Sequence, residues 1–497
     1  MAQVEARAEP LDWCITGGEL IDGSGAARRA ADIGLRGDRI VAVAAPGSLV
    51  GWPARQRVDA RGQIVAPGFI DTHAHDERLL LQPPEGAHPK LSQGVTTVVT
   101  GNCGMSLAPL VTDAAPPPLD EFGQDGWRFE RVADYLDALD AVGPATNAVV
   151  LVGHTTLRVR HMARTDRVAD AREAAAMAHD LADALDAGAG GLSTGLFYPP
   201  ARAATADEVL AVGAPLRAAP GAAGLVSMHI RDEGDGIAEA LEEALAIGRG
   251  LGVPLVLSHH KLMGRANHGR SRQTLALIEQ AAARQPVCLD CYPYDASATM
   301  LIPERVQQSR DVLISWSAVE PALAGRSLLA VAQARGVDPL ALARSLLPAG
   351  AIYFAMDEAD VERILAHPLT MVGSDGLAHA SAHPRLWGSF PRVLGRYVRE
   401  RGLLSLEAAV HKMTGLPAAR FGLTDRGRVA PGAVADLVLF DPERVQDQAT
   451  FTEPLRPSTG IQAVWLGGRL AHDAEGARDL HAGRALRRGS THHTSAP

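Results

Sequence analysis

Five short stretches of this chain carry side chains able to hold a metal ion and move a proton. They are Asp71-Thr72-His73-Ala74-His75, Asn102-Cys103-Gly104, His229, His259-His260-Lys261 and Ser374-Asp375-Gly376, and each follows a short apolar run. In extended chain the side chains at i and i+2 point the same way, so His73 and His75 can share one ion. Thiolate and imidazole are donors for zinc, and a zinc site with an open position lowers the pKa of water to about 7. A carboxylate within reach then takes the proton and returns it to the leaving group. Asp375, after a buried run and beside glycine, is the candidate. Each stretch alone is unremarkable. In a chain with 18 histidines an HxH pair arises readily, and a lone cysteine is usually a small buried apolar residue. The information lies in their shared position, because a fold that converges the ends of those runs would bring all five to one site.

Eight apolar runs have strand character: 64–69, 95–100, 148–152, 190–193, 225–228, 254–257, 287–290 and 369–372. Helical stretches separate several of them, for example 166–187, with acidic Asp166 near its start and Gly188 at its stop. Eight βα units predict a (β/α)8 TIM barrel, whose functional residues lie where the strands end. Two gaps are oversized. Residues 104–146, with Pro116-Pro117-Pro118, are expected to form a loop over the barrel mouth, and an insertion at about 293–367 carries helical material such as 339–347. Short strands with Gly and Asp punctuation fill 12–66, and the same texture returns at 435–440 and 463–468. The expected organisation is therefore a small β domain built from both chain ends (1–66 and 415–480), a catalytic barrel over 67–414 and a disordered tail over 481–497.

Composition narrows the function class. A net charge of -9 opposes nucleic-acid binding, which needs a basic surface. Four cysteines in 497 residues do not make a disulfide framework. No run of 18 apolar residues suggests a membrane span, and the first ten residues, with Glu5, Arg7 and Glu9, lack a signal-peptide core. The expected location is cytoplasmic and the expected partner a small molecule. No feature sets an oligomeric state.

The strand-end residues resemble those of the amidohydrolase superfamily. Many members carry a lysine after strand four, where this chain reads Gly191-Leu192-Ser193-Thr194-Gly195. Asn102-Cys103-Gly104 instead resembles the cysteine ligand of the N-acyl-D-amino-acid deacylases, the D-aminoacylase family. Pro67-Gly68-Phe69-Ile70-Asp71-Thr72-His73, Ser258-His259-His260-Lys261, Tyr292-Pro293-Tyr294 and His383-Pro384-Arg385-Leu386-Trp387-Gly388 are similar to motifs of that branch. The resemblance spans about residues 12–470. It implies a tight zinc on Cys103, His229 and His259, a second metal position at His73 and His75, and Asp375 as acid/base. It further implies that Lys261, Tyr292 and Arg385 hold the α-carboxylate of an N-acyl-D-amino acid, a role that suits two cations and a hydroxyl.

Other residues take blander readings. His260 should point away from His259, and His154 ends strand three without an assigned role. Cys288 and Cys291 have redox spacing but sit on a strand, so they are read as structural. Arg305 is read as a solvated loop residue that could otherwise reach a substrate's side-chain carboxylate, and His492 and His493 as incidental. Two competing functions remain: a cyclic-amide hydrolase of the hydantoinase or dihydroorotase kind, disfavoured by Cys103 and the missing lysine, and a non-catalytic scaffold, which should have lost its ligands.

Overall fold

The computed structural model describes residues 9–84, 86–217, 224–378 and 383–489. Eight parallel strands lie side by side in chain order: Phe69–Asp71, Val95–Thr100, Asn147–Gly153, Gly191–Gly195, Leu225–His229, Leu255–Leu257, Val287–Cys291 and Thr370–Val372. Strands eight and one meet through Thr72, whose N–H and hydroxyl both reach the Val372 carbonyl. Just beyond, Gly376–Leu377 pairs in parallel with Ala74–His75. The barrel is thereby drawn shut at its C-terminal end. Inside it, Val99, Leu151, Leu225, Val256, Cys288 and Met371 pack together with Leu416 and Leu486. Short, wholly buried strands are what a parallel sheet covered on both faces gives.

The two chain ends build one nine-stranded sheet. Ile64–Pro67 pairs antiparallel with Leu437–Phe440, joining the N-terminal hairpins to the C-terminal ones over a core of Ile15, Leu20, Ile33, Leu35, Val65, Leu439 and Trp465. The run 64–69, read as one barrel strand, is therefore two elements. Ile64–Pro67 belongs to the small sheet and Phe69–Asp71 opens the barrel, with Gly68 between them. A Cβ at Gly68 would sit 2.2 Å from the Thr96 hydroxyl oxygen, so only glycine lets the chain pass there.

Three further expectations change. The helix placed at 166–187 runs Ala171–Asp186. Its cap is Asp170, which receives the N–H groups of Arg172 and Glu173 while Glu173 bonds back to the Asp170 N–H, a reciprocal capping box. The segment 104–146 is more than a loop, holding the strand pair Leu110–Val111 and Arg128–Phe129 and the helix Val132–Val142. Residues 481–489 of the tail expected to be disordered are ordered. The Ala148 N–H donates to the Arg484 carbonyl, the Leu486 N–H to the Ala148 carbonyl, and Arg487 pairs with Asp137 and Asp140. His492 and His493 lie outside the described residues.

The insertion before strand eight contains a three-stranded antiparallel sheet, Ser297–Met300, Val312–Ser317 and Ala349–Tyr353, with the helices Pro303–Gln308, Leu328–Arg335 and Pro339–Ser345. Among the described residues no helix is long and apolar enough to cross a membrane.

Candidate metal and catalytic site

Backbone conformation singles out the site. Among the described residues the non-glycine residues with left-handed φ are Cys103 at 55°, His259 at 33° and Asp375 at 49°. Such conformations disfavour side chains with a Cβ and persist where the surroundings over-determine them. All three follow barrel strands, two, six and eight, and their side chains meet. Cys103 Sγ lies 3.2 Å from Nε2 of His73 and 3.2 Å from Nε2 of His259. Asp375 Oδ1 is 3.5 Å from His73 Nε2 and 3.3 Å from His75 Nε2. The His229 ring stands almost perpendicular to that of His259, with centroids 4.4 Å apart.

These donors suit a zinc ion. Sulfur at about 2.3 Å and nitrogen at about 2.0–2.1 Å from one tetrahedral ion lie roughly 3.5 Å apart, close to the spacing around Cys103. His73, Cys103, His259 and Asp375 each offer an atom within 4.8 Å of the others, and so do His229, Glu233 and His259. His229 is buried with neither ring nitrogen hydrogen-bonded, an orphan that a metal would satisfy. Burial pushes the Cys103 thiol up, but His73 and His259 beside it prevail and hold it well below its ordinary value, in the ligating thiolate form. Burial lowers His229 and keeps it neutral. Burial acts the same way on His75, yet hydrogen bonds to Asp375 and Cys103 raise it to about 10. His73 joins Cys103 and His259 directly, and His229 faces both Cys103 and His259 from the other side.

The three residues expected to hold a carboxylate also come together. Lys261 Nζ is 5.7 Å and the Arg385 guanidinium 4.9 Å from the centre of the Tyr292 ring. Neither cation is without a partner. Lys261 donates to Glu233 and lies 2.7 Å from His259 Nδ1, while Arg385 Nη1 is 2.7 Å from Asp375 Oδ2. Burial would raise Asp375, but Arg385, followed by His259 and His75, holds it well below the carboxylate range. His75, Tyr198, Lys261, Thr299, Asp375 and Arg385 are among the residues lining the pocket over the site.

Several supporting residues carried no sequence assignment. Glu233, four residues after His229, accepts from Lys261, lies 3.3 Å from His259 Nδ1 and pairs with Arg305 at 3.3 Å. Arg305 is thus no solvated loop residue, since it sits on the helix Pro303–Gln308, is buried, and stacks 4.3 Å over Phe197. Asp290 accepts the His259 N–H at 2.8 Å and lies 3.3 Å from His73 Nδ1, the carboxylate–imidazole contact that fixes a ligand's orientation. Glu121, from the segment after strand two, lines the pocket with one buried oxygen unpartnered. Its strand-remote position offered no signal. His260 turns outward to Thr274, and His154 pairs with Glu208 away from the metal donors. Burial pushes Cys288 and Cys291 to about 12, leaving both as inert thiols.

A profile of the Amidohydrolase family matches residues 56–472. D-aminoacylase of Alcaligenes xylosoxydans xylosoxydans is 52% identical over 486 residues, covering 97% of this chain and 99% of that protein. N-acyl-D-aspartate deacylase of the same organism is 52% identical over 477 residues, 96% of this chain and 95% of that one. The crystal structure of N-acyl-D-glutamate deacylase from Bordetella bronchiseptica, complexed with zinc and a phosphonate mimic of the tetrahedral intermediate, is 48% identical. It superposes with a TM-score of 0.91 over 96% of this chain and all of that one. With the donor cluster at the strand ends and matches of this extent, the chain belongs to the amidohydrolase family, within its group of N-acyl-D-amino-acid deacylases.

Proposed function

We propose that the protein hydrolyses N-acyl-D-amino acids to a carboxylate and a free D-amino acid. The observation that carries this reading is the meeting of Cys103, His259 and Asp375, each on left-handed backbone, beside the Lys261–Tyr292–Arg385 group. Cys103, His229 and His259 would hold the tight zinc, with His73 and His75 as the second position. Zinc, when bound, supplies a Lewis acid for water and for the acyl carbonyl. Asp375 takes the proton from the attacking water, whose oxygen adds to the acyl carbon. As the C–N bond breaks, Asp375 passes that proton to the departing nitrogen. Lys261 and Arg385 hold the α-carboxylate, the Tyr292 ring keeping both cations in place.

Arg385 serves two anions in this scheme, the catalytic carboxylate and that of the substrate. With the carboxylate and acyl group both fixed, Cα has one orientation in which its side chain meets open pocket, and this selects the enantiomer. The test is hydrolysis of N-acetyl-D-methionine and N-acetyl-L-methionine, and of both forms of N-acetyl-glutamate, on one zinc-loaded preparation. Equal rates for an L-form and its D-partner refute the reading. Turnover of a hydantoin in preference to either substrate would favour the cyclic-amide alternative.

A further inference from the structure

We infer that Lys90, an unassigned residue between strands one and two, is a positioning residue for Asp375. The inference rests on reading Asp375 as the acid/base. The Lys90 side chain is fully buried, and its ammonium meets three acceptors: Asp71 Oδ2 at 2.7 Å, Ser374 Oγ at 2.8 Å and Asp76 Oδ2 at 3.4 Å. Two of its three N–H donors are thus hydrogen-bonded, to Asp71 and Ser374, and Asp76 adds an ion pair. Asp71 and Ser374 then carry the constraint onward. Asp71 Oδ1 accepts the Ser374 N–H at 2.8 Å and the His73 N–H at 3.2 Å. Ser374 Oγ accepts the Gly376 N–H at 3.0 Å and donates to the His73 carbonyl at 3.4 Å. The Asp375 N–H itself donates to the His73 carbonyl at 2.7 Å.

Both residues flanking Asp375 are therefore pinned to the loop that carries His73 and His75, and one buried cation holds the pins together. That clamp keeps Asp375 at a φ of 49°, a conformation it would leave if released. In the right-handed region its carboxylate would swing away from His73, His75 and Arg385. Nothing else about Lys90 points to substrate contact, since it does not line the pocket. Its effect should fall on the chemical step and leave binding alone.

Lys90→Met and Ser374→Ala are compared with the wild type for zinc content, KM and kcat on N-acetyl-D-methionine. Displacing a catalytic group by about 1 Å costs roughly 10²-fold. Lys90→Met should therefore lose about that factor in kcat with KM and zinc unchanged, and Ser374→Ala a smaller part of it. The double variant should lose less than the product of the two single losses, because the lysine acts in part through the serine. Wild-type kcat in either single variant, or a loss that tracks zinc or appears in KM, overturns the inference. Lys90→Met strips buried carboxylates of their counter-ion and threatens the fold, and if it does not fold Ser374→Ala decides. Asp375→Asn is assayed alongside. Retained activity there refutes the acid/base reading itself, whereas its loss combined with wild-type kcat in Ser374→Ala refutes only the positioning.

Discussion

Replacing Arg385 with methionine separates the two roles proposed for it. Its guanidinium lies 2.7 Å from Asp375 Oδ2, with both groups buried. With charge centres about 4 Å apart and an effective dielectric of about 20, Coulomb's law gives about 4 kcal/mol of attraction between them. His259, His75 and His73 also hold Asp375 down and survive the substitution. The substitution therefore removes the largest of the opposing charges and leaves the rest of the depression in place. Arg385 depresses the Asp375 pKa, so its removal raises it, and the base is protonated at higher pH than before. The acidic limb of the kcat/KM profile should move to higher pH. Loss of a charge-assisted hydrogen bond to the substrate carboxylate costs a further 1.5–3 kcal/mol or so, about ten- to hundredfold in KM at neutral pH. The assay is kcat and kcat/KM against pH for wild type and Arg385→Met with N-acetyl-D-methionine. A raised KM on an unmoved acidic limb would show that Arg385 touches substrate but does not set Asp375. An unmoved limb with unchanged KM would refute both roles.

Cys103→Ala should lose zinc and activity together, because an anionic donor at the centre of the cluster disappears; full activity with zinc retained removes Cys103 from the site. His229→Asn should cost more zinc than His73→Asn, and equal losses by metal analysis would indicate one shared position in place of a tight and a weak one. Arg305→Met should reduce kcat/KM on N-acetyl-D-glutamate more than on N-acetyl-D-methionine if the guanidinium reaches a substrate side chain, whereas equal reductions would confine it to holding Glu233. His88, buried beside Lys90, is held neutral down to about pH 3, first by burial and then by the charges of Lys90 and His472. Its folded pKa lies below the unfolded value of about 6.5, so the stability it confers is complete above pH 6.5 and drains away as pH falls toward 3. Between pH 7.5 and 5.5 it should lose about 1.4 kcal/mol, read as a smaller pH dependence of the unfolding free energy in His88→Asn; an identical dependence in the variant would refute the assignment.

The candidate metal donors were legible in the sequence because histidine, cysteine and aspartate at the ends of apolar runs are unusual neighbours, and because one barrel end gathers whatever those ends carry. What was not legible depends on partners distant in the chain. The run 64–69 looks uniform, and its division at Gly68 is set by Leu437–Phe440, which claims Ile64–Pro67 for another sheet. Arg305 and Glu233 are 72 residues apart, and each alone has the composition of a surface residue; only their pairing makes burial affordable. The tail ordered through Arg484–Arg487 rests on backbone hydrogen bonds to strand three, to which its polar side chains give no clue. The helix start is a different case, since Asp170-x-x-Glu173 is a local capping signature and Asp166, with no glutamate three residues on, is not. The same contrast explains the catalytic centre. Residues proposed to touch the reacting atoms betray themselves by type, whereas those proposed to aim them, Lys90, Asp71 and Asp290, are ordinary charges whose contacts exist only once the barrel has closed.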